Sequence, residues 1–365
     1  MTRRISESTP LQDGYRMPAE WEKQKQVWMI WPQRPDVWRN GAKPAQEAFK
    51  NVALAISEYA DVTVCASAEQ FENCRARLPH HIRVIEMSSN DAWMRDCGPI
   101  FVKNDETGDV RAVKFGFNAW GGLVNGLYFP WDKDVQIPKK VAEIERVDYY
   151  DASDFVLEGG SITVDGEGTL ITTEMCLLDE GRNPQFSKEE IEQHLKDYLG
   201  IEKIIWLKDG VDPDETNGHI DGVAAFTAPG EVACVWTDDE NSPLYPVLKD
   251  AYERLANETD AKGRKLKVHK VCMGKDELYI DPDFDIDIIE GSLVRDENHW
   301  CPVDYLNWLI INGAVIVPQY DDQNDGKALE QIREIFPGYK VIGVNTKEII
   351  YGGGNIHCIT QQQPE

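Results

Sequence analysis

Apolar residues along this chain fall mostly in short runs cut by polar or Gly/Pro turns. The runs DVTVCAS (61–67), IRVIEM (82–87), PIFVK (99–103), AVKFGF (112–117), KIIWL (203–207), LKVHKV (266–271) and KVIGVN (340–345) predict strands. Two longer stretches fold back on themselves. VAAFTAPGEVACVW turns at Ala228-Pro229-Gly230-Glu231 and LNWLIINGAVIVP at Asn312-Gly313, so each predicts a hairpin. Helical spacing fits KEEIEQHLKDYLG (188–200), YPVLKDAYERLANE (245–258) and ALEQIREIF (328–336). Ser187, with Glu190 three residues on, predicts a capping box at the start of the first. No low-complexity linker divides the series, which predicts one continuous α/β architecture.

A repeat is superimposed on these elements. Gly-x-Ile/Leu recurs at Gly98-Pro-Ile, Gly160-Ser-Ile, Gly218-His-Ile, Gly291-Ser-Leu and Gly354-Asn-Ile, at intervals of 62, 58, 73 and 63 residues. Gly168-Thr-Leu falls outside the series. The near-constant spacing predicts five related α/β modules in which each glycine lets backbones crowd near a common axis. Closed radial repetition would leave only short, protected sheet edges.

Composition narrows the functions such a chain can have. With 42% hydrophobic residues among 365 and a mean hydropathy of -0.46 the chain has material for a core. Its longest apolar run, near Trp308 to Pro318, is interrupted by Asn312-Gly313 and falls short of the ~20 residues a membrane helix needs. MTRRISESTPLQDG has no apolar segment of the secretory kind. The 8 cysteines form no CxxC pair, so reduced thiols and a cytoplasmic location are expected. A net charge of -26 argues against nucleic acid and anionic membranes as partners and suits a cationic ligand.

The glycine-centred segments also hold the reactive side chains. Asp96 stands before the first, Glu158 before the second, His219 and Asp221 in the third, Glu290 before the fourth and Cys358 after the fifth. If the segments meet at one axis, these groups meet there. Cys358 alone would read as a buried small hydrophobe, but Gly352-Gly353-Gly354 just before it permits close backbone approach to a ligand. If 355–360 is extended, the adjacent His357 points to the opposite face, and the partner imidazole must come from elsewhere. His219 is the candidate, because on a strand it would share a face with Asp221, behind the turn signal Asn217-Gly218. Glu158 follows Phe155-Val156-Leu157 and, partly buried, needs a partner. The chain has no HExxH and no paired-cysteine spacing, and DPDFDIDIIEGS lacks the sixth-position Gly and final Glu of a calcium loop. No metal is therefore expected. Carboxylates around a thiol raise its pKa, so the set makes sense if the substrate brings the positive charge. A planar guanidinium matches carboxylates bidentately and carries an electrophilic carbon.

GGGNIHC, NDAWMRDCGP, FNAWGG, VLEGGS and ETNGHIDG, in the order NDAWMRDCGP to GGGNIHC, resemble the motifs of the agmatine deiminase family of the guanidine-modifying pentein superfamily. The likeness runs from STPLQDGYRMPAEWE to HCITQQQP. It implies a five-bladed α/β propeller with pseudo-fivefold symmetry, residues 1–365 forming one domain of five modules. It also implies hydrolysis of agmatine to N-carbamoylputrescine and ammonia through a covalent amidino-cysteine, without metal or organic cofactor, an activity on C–N bonds of linear amidines. Carried over, Cys358 is the nucleophile and His219 the acid and base. Asp96 and Asp221 hold the guanidinium, and Glu158 orients His219 or the substrate. Glu215 contacts substrate, Trp93 and Trp120 wall the pocket, and Gly353 and Gly354 make room over the thiol. Where the family pattern implies a polar residue after His219-Ile-Asp221, this chain has Gly222. The superfamily and the chain's size imply a homo-oligomer. Rival readings are a deiminase for arginine or peptidyl-arginine, an amidinotransferase, and a non-catalytic guanidine or polyamine binder.

Overall fold

Five times the chain builds the same unit: a strand, an antiparallel partner, a crossover helix, and a strand parallel to that partner. The computed structural model, which describes residues 2–211 and 215–365, contains the strand sets Ile100–Lys103, Val110–Gly116 and Tyr149–Val156; Thr163–Val164, Thr169–Thr173 and Lys203–Leu207; Ala224–Ala228, Glu231–Trp236 and Lys267–Cys272; and Leu309–Ile311, Ala314–Gln319 and Lys340–Asn345. The fifth set joins the two ends of the chain. Its first strand is the C-terminal Thr360–Pro364, antiparallel to Gln24–Ile30, which in turn runs parallel to Asp61–Ala66.

Parallel neighbours need a crossover of a dozen or more residues, and a helix supplies each one. These are Lys43–Ser57, Ile137–Glu145, Lys188–Leu199, Tyr245–Asn257 and Asp325–Ile335. Each buries an apolar stripe at helical spacing, such as Ile191, Leu195 and Leu199, or Leu248, Ala251 and Leu255. Truncating one such residue, Leu195→Ala for instance, removes about 2–5 kcal/mol.

The expected strands and both hairpins are present, with the hairpin turns at 228–231 and 311–314. The capping box also forms: Ser187 Oγ accepts from Glu190 N, and Ser187 N donates to the Glu190 carboxylate at 2.8 Å. Helices Lys43–Ser57 and Ile137–Glu145 lie outside the expected set. Each carries a proline in its first turn. In a sequence that reads as a break, yet at that position the missing N–H needs no partner.

What opens each hairpin decides where the chemistry sits. Short helical turns at Met94–Cys97, Gly159–Ser161 and Ile220–Gly222, and a turn over 356–359, stand just before four of the five first strands. The fifth position belongs to Asp304–Asn307, a bend ahead of Leu309–Ile311. This corrects the repeat at Gly291-Ser-Leu. That segment is an exposed loop with Gly291 at φ 85, and Glu290 is exposed within it. All 8 cysteines are free and buried, and no helix among the described residues is long and apolar enough to cross a membrane.

Candidate active site

These opening turns converge. A Cβ placed on Gly160 would lie 2.6 Å from His219 Nδ1, 2.9 Å from Asp221 Oδ2 and 3.0 Å from Asp96 Oδ1. Side chains from two modules thus meet over the glycine of a third, and no other residue fits there. Asp96 is buried and held at both oxygens: Gly160 N donates to Oδ1 at 2.9 Å and Trp120 Nε1 to Oδ2 at 3.0 Å. Trp93 donates its indole N–H to Asp91 at 2.9 Å, and its ring lies edge-on to Trp120, 6.4 Å between centroids.

The turn 356–359 is closed by Ile359 N donating to Asn355 O and Thr360 N to His357 O. Cys358 is therefore in a turn, and the extended geometry expected for 355–360 does not occur. His357 and Cys358 consequently do not diverge. His357 Nδ1 lies 2.9 Å from Asp221 Oδ2, the same oxygen that Cys358 Sγ approaches at 3.6 Å. His219 and Asp221 likewise share no strand. His219 caps a 3-10 turn and Asp221 lies within it, and its tight winding brings them together. Gly354 makes the close approach possible, since a Cβ there would fall 2.6 Å from the Trp93 ring and 3.1 Å from Cys358 Sγ. Gly353, at φ 100, passes against Glu215.

Asn307 is a site residue that the sequence reading missed. Its Nδ2 donates to Cys358 Sγ at 3.3 Å, and its Oδ1 accepts from the backbone N of His357 at 3.0 Å. It lies in the opening bend of its module, where no Gly-x-Ile marks the place; the hairpin that follows was the available clue. Arg182 was missed as well. Buried with Glu158, it donates Nε to Oε1 at 2.9 Å and Nη2 to Thr216 O at 2.7 Å.

His219 Nε2 stands 3.8 Å from Glu158 Oε2, within Coulombic but beyond hydrogen-bonding range. Neither ring nitrogen of His219, nor Glu158 Oε2, has a hydrogen-bond partner among the described residues. Burial works against a charged His219, yet Asp96 above all, with Cys176 and Glu158, raises its pKa well above the ordinary value. Burial pushes Asp96 up, reinforced by Asp221 and Glu158 and opposed by His219. Asp221 is held low despite burial, by the His357 hydrogen bond and charge and then by His219. The Cys358 thiol is pushed well up by burial first, then by Asp221 and Asp96.

Two cavities meet at Cys358. One, of about 420 Å³, is walled by Trp93, Asp96, Trp120 and Arg295 among others; the second, about 610 Å³, by Asp221, Gly222, His299 and Asn307 among others. Glu215, Gly353 and Gly354 lie between them, lining both. Glu215 is already paired with Arg295, which donates Nε to Oε1 at 2.7 Å, and with His299 Nε2 at 3.1 Å. Among the described residues nothing lies within 4 Å of a Cβ placed on Gly222, so its departure from the family pattern displaces none of them. Ligand atoms of Glu158, Cys176 and His219 lie within 4.8 Å of one another, the one such cluster among the described residues. The Arg182 guanidinium on Glu158 opposes a cation there.

The model of the family described as Porphyromonas-type peptidyl-arginine deiminase matches residues 16–364. An agmatine deiminase of Pseudomonas aeruginosa (strain LESB58) is 55% identical over 359 residues, 98% of this chain and 97% of that one. The solved agmatine deiminase of Enterococcus faecalis superposes with a TM-score of 0.98 at 60% identity, covering 100% of both chains. A cysteine-to-serine variant of C. jejuni agmatine deiminase, solved with substrate bound, gives a TM-score of 0.82 at 28% identity, with 96% of each chain covered.

Proposed function

We infer the reaction from one premise: the chain belongs to the Porphyromonas-type peptidyl-arginine deiminase family and, within it, to the agmatine deiminases. On that premise the protein hydrolyses agmatine to N-carbamoylputrescine and ammonia, on a mixed α/β fold of the pentein type. The observation that carries the reading is the buried thiol of Cys358 beside the carboxylate of Asp221, at 3.6 Å, with Asp96 converging on the same space. Such a thiol does not ionise unaided; an incoming guanidinium offsets the carboxylates and makes the thiolate accessible.

Asp96 and Asp221 hold the guanidinium, and the Cys358 thiolate attacks its central carbon. A C–N bond breaks as His219, charged at neutral pH, gives its proton to the departing ammonia. The carbon is left bound to sulfur as an amidino thioether. His219, now neutral, takes a proton from water, whose oxygen adds to that carbon. Collapse breaks the C–S bond, returning the thiolate and releasing the ureido product. The empty hydrogen-bonding positions of His219 and Glu158 Oε2 suit this traffic, because leaving ammonia and entering water both need partners there. Glu158, anchored by Arg182, stabilises the protonated His219. Trp93 and Trp120 wall the pocket, and Gly353 and Gly354 admit a flat cation over the thiol. Glu215, ion-paired with Arg295 and close to His299, contacts the far end of the substrate as part of a paired network.

The five repeated strand–strand–helix–strand units, with the chain ends sharing one sheet, support a closed five-bladed propeller of pseudo-fivefold symmetry comprising residues 1–365. The family reading carries with it a cytoplasmic homo-oligomer, which sedimentation and cell fractionation check. The decisive assay incubates the protein with agmatine, arginine and a blocked arginyl peptide and measures ureido product. Product from agmatine alone is expected, and its absence sinks the reading.

A further inference from the structure

His357 sits between two carboxylates. Its Nδ1 is 2.9 Å from Asp221 Oδ2 and its Nε2 2.7 Å from Glu20 Oε1. A neutral imidazole has one N–H and can satisfy only one ionised carboxylate; the imidazolium satisfies both. The row continues outward. Arg95 Nη1 approaches Glu20 Oε1 at 3.4 Å, while Arg95 Nε donates to the carbonyl of His357 at 3.2 Å and Arg95 N to that of Cys358 at 3.1 Å. Charges therefore alternate from Arg95 through Glu20 and His357 to Asp221, and the row ends 3.6 Å from the thiol. Arg95 and His357 are buried and Glu20 is only partly exposed. Burial and the Arg95 guanidinium work against a charged His357, but Glu20 and Asp221 outweigh them and raise its pKa.

We propose that His357 is a positioning residue for the reaction: held as an imidazolium by Glu20, it keeps Asp221 ionised and aimed at the guanidinium. Residue 20 lies in the loop before strand Gln24–Ile30, and residue 357 lies just before the C-terminal strand that pairs with it. The device thus ties the order of both chain ends to the competence of one substrate-binding carboxylate. It accounts for the direction in which Asp221 departs from a buried carboxylate, with His357 the foremost group lowering it. Glu20 is itself pushed down to about 2, since His357 and Arg95 outweigh its burial.

The inference rests on the agmatine reading, so its test carries a readout independent of turnover. In the wild-type protein, 15N NMR of the His357 ring at about pH 8 shows both nitrogens protonated, well above the ordinary imidazole range. A neutral ring overturns the proposal. In His357→Asn, where the amide can still donate to Asp221 but carries no charge, KM for agmatine rises about 10- to 100-fold, the size of one charged hydrogen bond. The acid limb of kcat/KM also moves to higher pH, because Asp221 loses the cation that held it ionised. Glu20→Gln, nearly isosteric, moves both in the same direction by less and serves if His357→Asn fails to fold. An unmoved acid limb and a KM within about twofold of wild type, in a variant that melts normally, overturn it too. Wild-type protein inert toward agmatine but with an imidazolium at 357 would instead fault the substrate assignment and leave the row of charges standing.

Discussion

On one side of Cys358 the 355–360 segment is a completed network: both nitrogens of His357 lie at hydrogen-bonding distance from carboxylates, and Asn307 bonds the backbone and the thiol. On the other side, at 215–222, a second buried histidine has neither nitrogen hydrogen-bonded among the described residues, and Glu158 faces it with an oxygen likewise unpaired there. Buried polar groups are nearly always paired, and leaving one unpaired costs about 1–3 kcal/mol. In the proposed mechanism that contrast separates support from chemistry: His357 is the fixed wall, and His219 is where protons come and go.

Breaking this division should give graded effects. Cys358→Ser removes the group both sides serve; kcat for ureido formation falls by at least about 10⁴-fold while the melting temperature holds. Near-normal ammonia release would displace Cys358 as nucleophile. His219→Asn on the open side lowers turnover by about 10²–10⁴-fold, and quenched-flow mass spectrometry shows both adduct formation and breakdown slowed. An adduct that accumulates at the wild-type rate would confine His219 to the second step. Gly160→Ala drives a methyl into His219, Asp221 and Asp96, costing about 1–3 kcal/mol in denaturant unfolding along with most activity. Asp221→Asn relieves the thiol of its nearest negative charge, so the alkylation of Cys358 by iodoacetamide reaches half its limiting rate at a lower pH than in wild type. Gly222→Ala, at the edge of the second cavity with open space around it, shifts stability by less than about 0.5 kcal/mol.

The residues at the site's centre were legible because their segments carry both a reactive side chain and a glycine: Asp96 before Gly98, Glu158 before Gly159, His219 after Gly218, Cys358 after Gly354. Asn307 and Arg182 were not. Asn307 opens its hairpin without a glycine, so the repeat was sought at Gly291 instead. Arg182 reaches Glu158 from a loop 24 residues on, with no periodicity to tie the two together. His357 was set aside by an argument about strand alternation that fails because 356–359 turns.

Local chemistry in the sequence determined the strands, the two hairpins, the Ser187 cap and the inventory of thiol, imidazole and carboxylates, since each depends on neighbours a few residues apart. Four of the five module openings were also written there, in the glycines at 98, 160, 218 and 354, whereas the one at Asp304–Asn307 carries no such mark. Only the tertiary structure decided which groups share a wall. It brought residue 20 to residue 357, paired the two ends of the chain in one sheet, and set Glu215 against Arg295 and His299. Those pairings join residues far apart in the chain, and the electrostatics that set the two buried histidines apart exist only once burial has removed water from between the charges.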